Sequence, residues 1–241
     1  MARHISRKEL KRNEFREGLT HGAEAVAAHQ RLTWIIGAAA LAVLVAVFGW
    51  RLYSQRQTAA ATVELSEAMK VYNARIRTPN EPAGPGEVTY VDEANKFADS
   101  AKQFSDVAGR YGRTQPGRVA RYYAALSLVQ LERNEDAERE LQALESSGDE
   151  SLAPLARFQL AQLYEKTGRA EQALQLYQQL ADNPAAFVPR AMVLLKMADY
   201  HSKTNPEEAA KLYNQVKTEF PDTQAAQQAD QGLQLLPAAN T

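Results

Sequence analysis

The sequence predicts an all-α protein: a single N-terminal transmembrane helix followed by an α-solenoid of helical hairpins. Three observations carry this. Residues 34–50, WIIGAAALAVLVAVFGW, hold no charge and no strong polar group. From Asp92 onward, positions of like character recur every 36 residues. Within and between the copies lie turn-forming residues such as Thr167-Gly168, while the intervening stretches are rich in helix formers.

The apolar run comes first. Its seventeen residues rise roughly 26 Å as a helix, and Leu32, Thr33, Leu52 and Tyr53 extend it towards the ~30 Å of a bilayer core. Trp34, Trp50 and Tyr53 stand where aromatic rings prefer to lie, at the two water–lipid boundaries. A buried helix of a soluble domain would show a polar face, and this run has none. A cleaved secretory signal has a shorter apolar core, about 7–15 residues, and usually a shorter leader. The 33 residues before Trp34 therefore favour an uncleaved span over residues 32–53.

Charge orients it. Residues 1–33 carry seven Lys/Arg, and residues 51–70 carry three. Positive charge resists export, so the N-terminus is expected in the cytoplasm and the C-terminal bulk across the membrane. Residues 1–53 hold 8 basic against 4 acidic side chains, and residues 54–241 hold 20 against 25. A weakly acidic C-terminal part lacks the basic footprint that nucleic acid requires. The absence of cysteine removes disulfides, thiolate catalysis and cysteine-based metal sites together.

Residues 1–31 read as a basic helical leader, with Ser6 and Glu9 in capping-box spacing and Lys8, Lys11 and Arg12 on one face. Gly18 and Gly22 weaken that helix, so a topology signal is a simpler account of the cations than lipid binding. In the span, Ala38, Ala42 and Ala46 form a ridge of small side chains, which lets membrane helices approach closely. Gly37 does not reinforce it, since Leu41 stands four residues on. Residues 54–77 continue as a connecting helix, with Leu65, Met69 and Tyr72 on one side. Residues 78–90, TPNEPAGPGEVTY, contain three prolines and two glycines, and a flexible surface loop is expected there.

The repeats are the most specific signal after the span. Ala125, Ala161 and Met197 keep their character at the 36-residue offset, as do Leu128, Tyr164 and Tyr200. So do Ala137, Ala173 and Ala209; Leu141, Tyr177 and Tyr213; and Leu144, Leu180 and Val216. Each copy reads as two helices, for example residues 155–166 and 170–181. Alanine at the crossing points lets the pair pack closely, and the large residues fill the wedge towards the next pair. No hairpin buries its apolar face alone, so stability comes from stacking neighbours. Residues 94–111 read as a degenerate unit partnered by the connecting helix, and residues 222–236 as a capping helix.

These residues resemble the tetratricopeptide repeat, most clearly where Ala161, Tyr164, Gly168, Ala173 and Tyr177 follow the family's small-large-turn-small-aromatic order. The sequence departs from the pattern where Arg121, Arg157 and Val193 replace an early aromatic, and where Glu132 and Thr204 replace the turn glycine. The resemblance implies a concave groove. Its carried-over positions are Tyr122, Leu126, Val129 and Gln130, then Phe158, Gln162, Glu165 and Lys166, then Leu194, Ala198, His201 and Ser202. Tyr122, Gln130, Phe158, Gln162, Glu165, Lys166 and His201 are the expected protein-binding residues. For Tyr122, Phe158 and Leu194 the competing role is packing between repeats.

No chemistry competes with binding. His4, His21, His29 and His201 lack metal-ligand spacing, and no His-Glu-x-x-His or Gly-x-Ser-x-Gly occurs. Glu207-Glu208 and Asp149-Glu150 lie at helix starts, where the helix dipole favours carboxylates. No enzyme, metal or cofactor is expected. The predicted organisation is a cytoplasmic leader (1–31), the span (32–53), a connecting helix and Pro/Gly-rich loop (54–91), the repeat domain (92–236, with three clear copies at about 118–221) and a tail (237–241). This layout resembles the YfgM-like ancillary SecYEG translocon subunits. The resemblance implies a single-pass protein of the bacterial inner membrane whose periplasmic domain binds other proteins, at the translocon or with periplasmic chaperones. A scaffold for envelope or division complexes and a structural homo-oligomer are the alternatives.

Overall fold

The computed structural model describes residues 30–237, with side chains from Trp34 onward. The expected leader helix and residues 238–241 lie outside the described part. Backbone packing divides the chain between Arg56 and Gln57.

Among the described residues there are nine helices and one pair of two-residue strands. Helix α1 runs without a break over Gln30–Tyr72. All its side chains from Trp34 to Arg56 are exposed. No other described helix is long and apolar enough to cross a membrane.

From Gln57 the described chain is stacked helices, apart from the one short strand pair. The last turns of α1 bury Ala61, Ala68 and Val71, with Leu65, Met69 and Tyr72 half-covered. They pack on helices α2 (Glu93–Tyr111) and α3 (Gln115–Gln130) around Phe104, Val107, Ala120 and Ala124. Glu64 ties the contact, accepting from Tyr111 Oη at 2.8 Å and Arg110 Nη1 at 3.0 Å. The helix stops at Tyr72, five residues short of the expected end.

The Pro/Gly-rich segment is tied down. Strands β1 (Arg75–Ile76) and β2 (Thr89–Tyr90) pair in parallel, Arg75 opposite Thr89. Arg75 reaches Glu81 at 2.6 Å and Glu87 at 3.4 Å, and Arg77 donates to the Glu81 carbonyl at 2.7 Å and to Thr89 Oγ1 at 3.1 Å. Composition correctly excludes a helix here, but it does not show that two arginines close the loop on itself.

Three hairpins follow: α3 with α4 (Asn134–Glu145), α5 (Leu152–Lys166) with α6 (Ala170–Asp182), and α7 (Arg190–Thr204) with α8 (Pro206–Glu219). Helix α9 (Gln224–Leu235) closes the array. The helix starts are chemically marked. Asp92, Thr114, Asn205 and Thr223 each cap a helix by accepting a backbone N–H. The recurrent small residues Ala125, Ala161, Ala137, Ala173 and Ala209 are buried at the crossings, and Leu141, Tyr177, Tyr213, Leu144, Leu180 and Val216 fill the space between pairs. Ser100 and Ser127, also buried, satisfy their hydroxyls on the carbonyls four residues back.

The departures from the repeat pattern have physical compensations. Arg121 and Arg157, standing where an aromatic would fill space, instead reach Glu140 at 3.5 Å and Glu145 at 2.7 Å. At the turns, Gly168 adopts φ +78, and Glu132, its counterpart one repeat earlier, is forced to φ +58. Thr204 escapes the strain because Asn205 serves as the end of α7 and the cap of α8 at once, with Pro206 opening the next helix.

Charged clamps join successive hairpins. Arg169 at the start of α6 grips Glu138 of α4 through two bonds, 3.0 and 2.7 Å, while its guanidinium lies 4.1 Å over the Tyr164 ring. Tyr164 Oη also donates to Glu138, at 3.0 Å. Arg118 of α3 holds Asp149, in the linker before α5, at 2.7 Å, and within the third hairpin Arg190 pairs with Glu219.

Two outcomes are expected. Replacing Glu132 by Gly removes a left-handed penalty of about 1–2 kcal/mol and gives back part as unfolded-chain entropy. Urea unfolding should therefore show a gain of about 0.5–1 kcal/mol, and Gly168→Ala a loss of about 1 kcal/mol. The second outcome concerns pH. Glu138 is held below its ordinary range chiefly by the Arg169 hydrogen bonds, and Asp149 chiefly by the Leu152 backbone N–H. Depressed carboxylates stabilise the fold above their unfolded values and lose that contribution as pH falls through the folded ones. The thermal midpoint should fall as pH is lowered from about 5 to about 3, and Glu138→Gln should flatten that dependence.

Candidate protein-binding site

The first helices of the hairpins, α3, α5 and α7, carry the groove positions, and the structure distributes them unevenly. Phe158 is only 7% exposed and lies 5.8 Å from the Tyr177 ring, in the core shared by the second and third hairpins. It is a packing residue and offers a partner no open face. Leu194 and Ala198 are buried in the same core. Tyr122 is half-buried against the core that holds Leu128, Leu141 and Leu160. Burial, more than any neighbour, pushes its hydroxyl pKa up. The side chains that remain open are Gln130, Glu165 and Lys166, with Gln162 and His201 half-buried. The His201 ring meets Tyr200 edge-on at 5.4 Å, and its Nδ1 has no hydrogen-bond partner among the described residues. Lys166 sits 3.9 Å from the exposed Glu132, a contact water largely screens.

A cleft of about 520 Å³ is framed by Glu165 of α5, Asp199, Ser202 and Lys203 of α7, Tyr213 of α8, and Gln228, Gln231, Gly232, Leu235 and Leu236 of α9 and its end. Two tyrosines hydrogen-bond to its acidic side chains. Tyr177 Oη donates to Glu165 Oε2 at 3.3 Å, and Tyr213 Oη donates to Asp199 Oδ1 at 2.7 Å. Burial first, then these carboxylates, raise both hydroxyls well above the usual tyrosine range, so they remain donors at every physiological pH. Helix α9 comes so close that a Cβ at Gly232 would lie 2.3 Å from the Tyr213 ring. Only glycine lets the capping helix seat there.

Of this cleft, reasoning from the sequence identified Glu165 and Ser202 as groove positions. It did not reach Asp199, Lys203, Gln228, Gln231, Leu235 or Leu236. The signal for Asp199 was present, because Tyr213 stands one repeat after Tyr177 and needs an acceptor as Tyr177 does. Nothing in the local pattern announces how α9 folds over that region. Among the described residues, no cluster of three or more His, Asp or Glu side chains is placed to hold a metal ion.

Stacked hairpins with small residues at the crossings define a helical repeat scaffold, a class whose members typically supply surfaces for other polypeptides. Comparison with known families carries this further. The tetratricopeptide repeat-like domain matches residues 29–192, more than half the chain, and the tetratricopeptide repeat matches residues 192–223. The chain belongs to the tetratricopeptide repeat-like domain family. A search of curated proteins finds no match.

The division between packing and open residues can be tested directly. Phe158→Ala should cost about 3 kcal/mol or more in urea unfolding, because it empties a core position. Gln130→Ala should stay within about 0.5 kcal/mol, as expected of an exposed side chain.

Proposed function

We propose that this protein is a membrane-anchored protein–protein interaction module. Residues 32–53 form a single span, the N-terminus is cytoplasmic, and the repeat domain lies in the periplasm of a bacterial inner membrane. Its groove binds partner proteins at the Sec translocon or among periplasmic chaperones. One observation carries the reading: the apolar side chains of residues 34–50 are exposed on every side of α1, with Trp34 at 74% and Trp50 at 66%. An uncovered apolar cylinder of that length has a large hydration cost in water and none in hydrocarbon. A soluble core helix would be buried, and a bilayer is the medium that fits. The repeat family supports the second half, since such arrays supply extended surfaces for other proteins. The excess of Lys/Arg before the span supports the orientation.

Three measurements test it. After alkaline extraction the full chain should stay in the membrane pellet, and a variant lacking residues 34–50 should move to the supernatant. Alkaline phosphatase fused after Thr241 should be active and a green fluorescent reporter dark there; the reverse pattern would overturn the topology. A photo-crosslinking residue at Gln130 or Lys166 in intact cells should yield products containing translocon subunits or periplasmic chaperones. Self-products alone would overturn the partner assignment.

A further inference from the structure

We infer that the cleft between α5, α7, α8 and α9 takes a cationic side chain, arginine or lysine, from an extended segment of the partner polypeptide. The inference rests on the groove reading proposed above and specifies what one end of that groove selects. It stands on the cleft, its continuity with Glu165 and Ser202 of the groove, and its charge.

Carboxylates at the hairpin boundaries are met by cations: Glu138 by Arg169, Glu145 by Arg157, Asp149 by Arg118 and Glu219 by Arg190. Glu165 and Asp199 differ. Each accepts a tyrosine hydroxyl, and neither has a described cation within ion-pair distance. A hydroxyl donor orients one carboxylate oxygen but adds no positive charge. The two negative charges are therefore held in place by hydroxyl donors and line a cavity of about 520 Å³. Lys203 lines the same cavity and pairs with neither. It leaves the opening with one net negative charge, enough for a single cation and unfavourable to a second.

The remaining lining fits the rest of such a ligand. Gly232, Leu235 and Leu236 form an apolar wall for the methylene stem, which long cationic side chains lay along hydrophobic surface. Leu235 is 85% exposed, the most open large apolar side chain among the described residues. Gln228, Gln231 and Ser202 offer neutral donors and acceptors to an extended backbone. An acidic segment would meet two fixed like charges and is disfavoured.

The test uses the full chain in detergent micelles and a fluorescein-labelled peptide of Gly, Leu and Ser with one central arginine. Its controls carry citrulline, the neutral isostere, or glutamate at that position. The arginine peptide should bind at least tenfold more tightly than the citrulline peptide, and the advantage should shrink as salt is raised. The double variant Glu165→Gln/Asp199→Asn keeps an acceptor for each tyrosine. It should lose at least tenfold for the arginine peptide, leave the citrulline peptide unchanged and keep its thermal midpoint. Equal binding of the arginine and citrulline peptides, no binding by either, or an arginine preference that survives the double variant would overturn the inference. If groove crosslinks to partners form in cells while the arginine preference is absent, the general reading stands and only the charge selection fails. If neither is seen, both fail.

Discussion

Close approach of paired helices at alanine is the constraint on which the array depends. Ala125 and Ala137 in the first hairpin, Ala161 and Ala173 in the second, and Ala209 in the third are all but fully buried. With only a methyl group at the crossing, two helices come near enough for the larger residues on either side to meet. Tyr177 and Tyr213 then fill the wedge towards the neighbouring hairpin, where a smaller residue would leave a void.

Hydrophobic fit fixes how hairpins stack, but it slides easily along a helix, and charge supplies the register. Arg169 with Glu138 and Arg157 with Glu145 each join helices of different hairpins, and Arg118 with Asp149 ties the first hairpin to the linker that follows it. The planar guanidinium of Arg169 does two things at once: it grips a carboxylate with two parallel bonds and covers the Tyr164 ring. Pairs of this kind tolerate little displacement, so they add positional definition to a core that burial alone would leave looser. The same arrangement decides the chemistry of the groove. Acids that have an arginine are part of the scaffold; Glu165 and Asp199, backed only by tyrosine hydroxyls, keep their charge available.

Much of the fold was legible along the chain because both of its signals are local or periodic. An apolar run can be measured directly, and a 36-residue recurrence survives divergence at single positions. The departures were legible too, as departures. What Arg121 and Arg157 do in place of an aromatic was not, since Glu140 and Glu145 carry no mark of being their partners. The Pro/Gly-rich segment was read as flexible because its composition excludes helix; its closure depends on Arg75 and Arg77 meeting Glu81, Glu87 and Thr89 across a loop. Phe158 shows the limit most clearly. Its repeat position faces the groove, yet Tyr177 and the third hairpin close over it.

By itself the sequence determined the class of fold, the uncovered apolar helix and the rhythm of the hairpins, because hydrophobic length and period are properties of consecutive residues. Tertiary structure alone decided which groove positions are open. It buried Phe158 and Leu194, left Glu165 exposed, and brought Asp199 together with Gln231 and Leu235 through the seating of α9 on Tyr213. The physical reason is that exposure is a relation between helices: the capping helix crosses at Gly232, and no periodicity within a single helix encodes what will lie over it.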